Sequence, residues 1–259
     1  MPGQDFNHIV YRHEGADPNG ILHIYLEGDG SPWLYRRYIA ADPTPHKPLM
    51  LKLMALDDHA SVYVGRPCYL GMAQSPGCGT ALWTGARYGG RVVSSLAQVI
   101  NALARTGGFS GLMLFGHSGG GALAMLLAQR LDKVQAVVTL AGNLDTDAWT
   151  TYHRYAPLSE SLNPAVQPLL SANIWQLHLA GSEDQVVPPW MIRTVAGRQP
   201  SARFRVLDGF DHSCCWHEIW SAVLAELGRA VRSGSGCLKR LRANPTCRTP
   251  AAASVDAHR

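Results

Sequence analysis

The chain has 259 residues, 46% hydrophobic and 16% charged, with 26 glycines, which excludes a wholly disordered chain and fits one globular domain rich in tight turns. The net charge of +4 does not call for a nucleic-acid partner, because residues 233–259 carry five basic side chains against Asp256 alone and leave the rest near neutral. No apolar run is long enough to span a bilayer and the first residues lack the pattern of a signal peptide. The chain is therefore expected to be soluble, cytoplasmic as it stands, and periplasmic or secreted only if a leader has been removed.

In chain order, strand-length apolar runs occur at 21–26, 61–64, 112–115, 136–140, 174–180 and 204–207, with helical patterns between them. That alternation predicts an α/β fold, a mostly parallel central sheet covered by helices on both faces. Residues 92–105 place Val92, Leu96, Val99, Ile100 and Leu103 on one helical stripe, and 119–131 and 216–231 read as helices, the former apolar enough to lie against the sheet. Segment 144–172 is short and contains several prolines, so it is expected to form a small rim in place of a large cap. From 233 onward the apolar pattern stops. Residues 1–232 are read as a single domain and 233–259 as a basic, disordered tail.

Six cysteines, Cys68, Cys78, Cys214, Cys215, Cys237 and Cys247, show no metal-site CxxC spacing, so no metal is expected. Cys68 and Cys78 bracket a Gly/Pro-containing loop short enough for a disulfide in an oxidising compartment, with buried thiols as the alternative. For Cys214 and Cys215 a vicinal disulfide, a bridge to Cys68 or Cys78, and packed thiols all stay open.

The chemistry concentrates in four segments. Leu-Met-Leu-Phe runs into Gly116-His117-Ser118-Gly119-Gly120 and then into a small-residue helix, the order in which a serine is exposed at a tight strand-to-helix turn. Ser118 is the candidate nucleophile. Gly119 at the helix start offers its N–H to a negative oxygen. Glu27-Gly28-Asp29-Gly30 follows the 21–26 strand as a Gly-rich turn whose Asp29 N–H is the expected second donor, with Gly28 as the alternative. Gly181-Ser-Glu-Asp184 follows the 174–180 strand and supplies Asp184 as the acid, with Asp145 as competitor and Glu183 pointing elsewhere. His212, on the loop after the last strand, is the base. His217 lies on the following helix, and His117 reads as a packing or gating residue. Trp33, Tyr35, Trp83, Tyr88, Trp149 and Tyr152 sit in loops at the same sheet edge, where some are candidates for a pocket lining and each alone reads as packing.

Together these segments resemble the α/β-hydrolase superfamily of serine hydrolases over roughly residues 21–227, with carboxylesterases as the nearest in kind. The Glu-Gly-Asp-Gly turn departs from the His-Gly form of many members. With His-Ser-Cys-Cys-Trp it is similar to a poorly characterised bacterial group whose members are often exported, a setting that favours the Cys68–Cys78 bridge. The resemblance implies acyl transfer from a small-molecule ester to water through an acyl-enzyme on Ser118, with small or medium acyl chains and no cofactor. Thioesterase or amidase chemistry would use the same groups, and a catalytically silent hydrolase fold used for binding is the alternative from another class. Dehalogenases and epoxide hydrolases of this fold need a carboxylate where Ser118 stands. Nothing in the sequence sets the oligomeric state.

Overall fold

A computed structural model describes residues 1–16, 20–35, 37–200 and 202–241. Among these the strands are β1 (Val10–His13), β2 (Ile21–Leu26), β3 (Trp33–Leu34), β4 (Tyr38–Ile39), β5 (Ser61–Val64), β6 (Gly111–His117), β7 (Val134–Leu140), β8 (Trp175–Gly181) and β9 (Ala202–Leu207). The α-helices are α1 (Leu49–Met54), α2 (Gly90–Thr106), α3 (Gly119–Ala128), α4 (Thr146–His153), α5 (Pro189–Ala196) and α6 (Trp216–Leu241). Seven strands form one sheet in the order β1-β5-β2-β6-β7-β8-β9, parallel throughout except for β1, while β3 and β4 pair by themselves.

Alternation along the strands feeds two cores. Leu22, Ile24 and Leu26 of β2 and Leu112 and Leu114 of β6 pack on one face with α2, α3 and α5. Ile21, Tyr25, Met113 and Phe115 point the other way and meet α1 and α6. The apolar stripe of α2 is buried along its length, and every residue of α3 is buried, as its lack of polar side chains requires.

The expected strands are all present: two match their predicted spans, three exceed theirs by two or three residues, and the 174–180 strand is shifted by one residue to Trp175–Gly181. Two things differ. β1 is an edge strand whose Tyr11, Arg12 and His13 are exposed, so it carries no apolar run to betray it. The backbone of α6 continues to Leu241, into the segment read as a disordered tail, because extending an existing helix needs only one ordered residue per added hydrogen bond. The rest of that tail, 242–259, lies outside the described residues. Cys68 and Cys78 are joined, closing the loop after β5.

Two buried polar groups tie the layers together. Tyr25 donates its hydroxyl hydrogen to Asp57 at 2.6 Å and accepts from the Trp220 indole N–H at 3.3 Å, and Trp220, fully buried, stands edge-on to Phe115. Glu27, just after β2, accepts from its neighbour Gly28 N–H at 3.2 Å and from Met50 N–H in the first turn of α1 at 3.0 Å. Burial pushes the Glu27 pKa up from its ordinary 4.5 to about 7, against the pull of the backbone donors of Gly28, Met50 and Leu51.

Trp220→Ala removes a large side chain that α6 cannot collapse to replace, and is expected to lower unfolding free energy by about 3–5 kcal/mol in urea titrations. Glu27 gives a pH signature. Between pH 4.5 and 7 the folded chain holds a proton that the unfolded chain has released, so this group's contribution to stability falls as pH rises through that window. Glu27→Gln carries no such charge. Its urea midpoint relative to wild type is expected to rise from pH 4.5 to 7 and to stay level above; a pH-independent difference would refute the assignment.

Candidate functional site

Parallel register brings the four chemical segments to one edge of the sheet. Leu26 pairs with Gly116, His117 with Leu140, Leu140 with Leu179, and Gly181 with Leu207, so the loops after β2, β6, β8 and β9 leave side by side.

Ser118 sits between β6 and α3 with φ 52° and ψ −119°, a conformation L-residues avoid. Its surroundings enforce it. The Ser118 N–H donates to Leu140 O at 3.0 Å, and its carbonyl accepts from Gly121 and Asn143 N–H groups, each at 2.9 Å. The flanking glycines are needed for contact, since a Cβ at Gly116 would strike the Gly120 carbonyl and one at Gly120 would strike that of Leu26.

The Ser118 hydroxyl lies 3.0 Å from His212 Nε2, and His212 Nδ1 lies 2.8 Å from Asp184 Oδ2. Asp184 is buried, and its other oxygen accepts from the Val186 and Val187 N–H groups at 2.8 Å each, which fixes the carboxylate plane. Serine, imidazole and carboxylate thus form one continuous relay. The competing acids are occupied elsewhere. Asp145 caps α4, accepting from Asp147 and Ala148 N–H and from the Asn163 side chain, and Glu183 is exposed.

The His212 backbone is held from two sides. His117 Nε2–H donates to the His212 carbonyl at 2.7 Å, and the Trp216 indole N–H reaches the same oxygen at 3.2 Å. Burial, with the His212 ring beside it, lowers the His117 pKa to about 3, so His117 is neutral and acts as a fixed strut. Asp211 pins the residues beyond by accepting from the Ser213 and Cys214 N–H groups. Cys214 and Cys215 are bonded to each other, and Cys215 has φ 74°. His217 is exposed on α6.

The Glu27–Gly30 turn packs directly on the elbow: a Cβ at Gly28 would lie 3.4 Å from Ser118 Cβ. Gly28 N–H is engaged by Glu27, whereas no hydrogen bond among the described residues uses the N–H of Asp29 or of Gly119. The Asp29 side chain turns into an ionic cluster that the sequence did not announce. It accepts from Arg66, from Arg87 at 2.9 Å and from the Tyr88 hydroxyl at 2.6 Å, while Tyr69 hydroxyl donates to its carbonyl at 3.1 Å. Burial alone would raise its pKa, but Arg87 and Arg66 hold the carboxylate well below the usual range. Two cations and a hydroxyl converge on this one carboxylate, which lies close enough to the elbow that a Cβ at Gly119 would strike its Oδ1.

Of the loop aromatics, Trp83 and Tyr88 are core residues. Trp149 donates to Val186 O at 2.9 Å and clamps the loop that carries Asp184, while Trp33, Tyr35 and Tyr152 are exposed. One further cluster, His23, Asp57 and His59, lies toward the opposite end of β2, but there Asp57 already takes four donors, from both imidazoles, Tyr25 and the His59 N–H. With its carboxylate saturated, it is a structural polar network.

No family model and no curated protein matches the sequence. Solved structures do. A putative α/β hydrolase of unknown function from Agrobacterium tumefaciens is 12% identical, with a TM-score of 0.60 over 90% of this chain and 95% of that one. Est1E from Butyrivibrio proteoclasticus, solved with ferulic acid, is 12% identical with a TM-score of 0.60 over 90% and 99%. A thermophilic esterase from Thermogutta terrifontis is 15% identical with a TM-score of 0.57 over 89% and 98%. Their likeness, the one antiparallel edge in an otherwise parallel sheet, and the strained serine between β6 and α3 make this chain an α/β-hydrolase in fold.

Proposed function

We propose that the protein is a serine hydrolase that cleaves carboxylic esters of small or medium acyl chains through an acyl-enzyme on Ser118. The observation that carries this reading is the unbroken relay from Ser118 Oγ through His212 to Asp184, at 3.0 and 2.8 Å. In the first half-reaction His212 Nε2 takes the hydroxyl proton as Ser118 Oγ bonds to the acyl carbon, and Asp184 stabilises the imidazolium. The N–H groups of Gly119 and Asp29 receive the tetrahedral oxyanion, Gly119 at the start of α3 and Asp29 backed by the Arg66 and Arg87 charges. As the C–O bond breaks, His212 returns its proton to the leaving alcohol. Water then repeats the sequence on the acyl-enzyme, the same imidazole taking its proton and giving it to Ser118.

Support also comes from the esterases among the fold's neighbours, Est1E and the Thermogutta enzyme. Segment 144–172 contributes only α4 and a short 3-10 turn at Pro164–Val166, leaving the site under a small rim.

The test is hydrolysis of p-nitrophenyl esters from acetate to palmitate. Wild type is expected to turn over the shorter esters and to be labelled by a fluorophosphonate, and Ser118→Ala to lose both. Asp184→Asn, which leaves the imidazole held in the wrong tautomer, is expected to lower kcat by roughly 10³- to 10⁴-fold while the fold persists. Turnover of thioester or amide substrates alone would redirect the substrate class, and the absence of both labelling and turnover would overturn the enzyme reading.

A further inference from the structure

Directly after the Asp29 turn the chain makes a two-stranded finger outside the main sheet. β3 and β4 pair in the register Trp33 with Ile39 and Leu34 with Tyr38, so successive pairs face opposite sides of the ribbon. All four are exposed, at 44, 42, 48 and 58%, and Tyr35 at the tip is 92% exposed. Both faces of the ribbon are therefore apolar and open to water, which is costly for a two-stranded element that is marginal by itself. The base, by contrast, is fixed. Ser31 N–H donates to Pro43 O at 2.8 Å, Ala40 N–H to Pro32 O at 3.0 Å, and the buried Trp83 indole to Ala40 O at 3.1 Å.

A flat protein partner would cover one face of such a ribbon and leave the other wet, whereas a fluid apolar medium surrounds both. The residue types agree with that. Trp and Tyr are the side chains that settle at the boundary between lipid and water, Arg37 directly precedes β4, and the sequence from Ser31 to Ala41 holds two arginines and no acidic residue. The Arg37 guanidinium stands 5.5 Å from the Tyr38 ring centroid, a cation–π contact that holds its positive charge against the ribbon.

We propose that the finger from Trp33 to Ile39 inserts into the headgroup region of an anionic lipid bilayer. Its neck begins two residues after Asp29, so insertion turns the Ser118 edge of the sheet toward the membrane and presents it with esters dissolved there; this second half of the proposal rests on the hydrolase reading, and the first does not.

The test uses the full chain and two kinds of vesicle, phosphatidylcholine alone and phosphatidylcholine with phosphatidylglycerol, read by cosedimentation. Wild type is expected to bind the mixed vesicles more strongly than the neutral ones, and less as salt is raised. The double substitution Trp33→Ser with Tyr35→Ser is expected to weaken that binding by about tenfold or more. Arg37→Glu is expected to weaken it on mixed vesicles only. The double variant's melting temperature and its rate on a water-soluble p-nitrophenyl ester should match wild type, which separates loss of insertion from loss of fold or of chemistry. Equal binding by wild type and double variant would assign any membrane affinity to the basic residues beyond 233 and overturn the proposal. So would a concentration-dependent dimer abolished by the double substitution without vesicle binding, since the finger would then pair with a second copy. Vesicle binding by a protein inactive on every ester would sustain the insertion and sink only the delivery of substrate.

Discussion

The backbone conformation of Ser118 is the constraint around which the rest of the site is arranged. A non-glycine residue at φ 52° costs of order 1–3 kcal/mol and persists only if its neighbours leave no alternative. Here the neighbours are the ends of three elements. β7 receives the Ser118 N–H, the first turn of α3 and the loop after β7 donate to its carbonyl, and the end of β2 presses against Gly120. Such close approach of β2, β6 and α3 is open only to glycines at 116 and 120. It also explains why α3 has no polar residue, for a helix that starts inside the sheet edge has no face left for water.

Around that serine, each buried charge is either paired or suppressed. Asp29 is paired twice over, by Arg66 and Arg87. Glu27 holds the N-terminus of α1 and is pushed toward its neutral form. His117, next to Ser118, is kept uncharged by burial and spends its N–H on the His212 carbonyl. The result is two imidazoles in contact, with ring centroids 4.8 Å apart, and only one of them facing the serine.

Much of this was legible in the sequence because its signals are local. A strand entering Gly-His-Ser-Gly-Gly, an acid after the 174–180 strand and a histidine after the last one are each a few residues long, and parallel topology then forces them to one edge. The relay among Ser118, Asp184 and His212 needed nothing else. What stayed hidden depends on contacts across long separations. Arg66 and Arg87 meet Asp29 from 37 and 58 residues away, and no spacing rule links them. The strut role of His117 depends on a carbonyl 95 residues on. β1 escaped notice because an edge strand needs pairing and not apolar residues, and the finger because Trp33 and Tyr35 read equally well as pocket lining.

The neck of that finger has a consequence for how the chain tolerates change. Pro32 and Ala40 are joined by a backbone hydrogen bond, and Ser31 and Ala40 are each anchored again behind it, to Pro43 and Trp83. The residues between them form a cassette: its ends already meet, so it can be shortened to a tight turn or exchanged for another hairpin with little demand on the Asp29 turn beneath it. This chain therefore has at this position a site where the tip of the molecule can be rewritten independently of the Ser118 elbow.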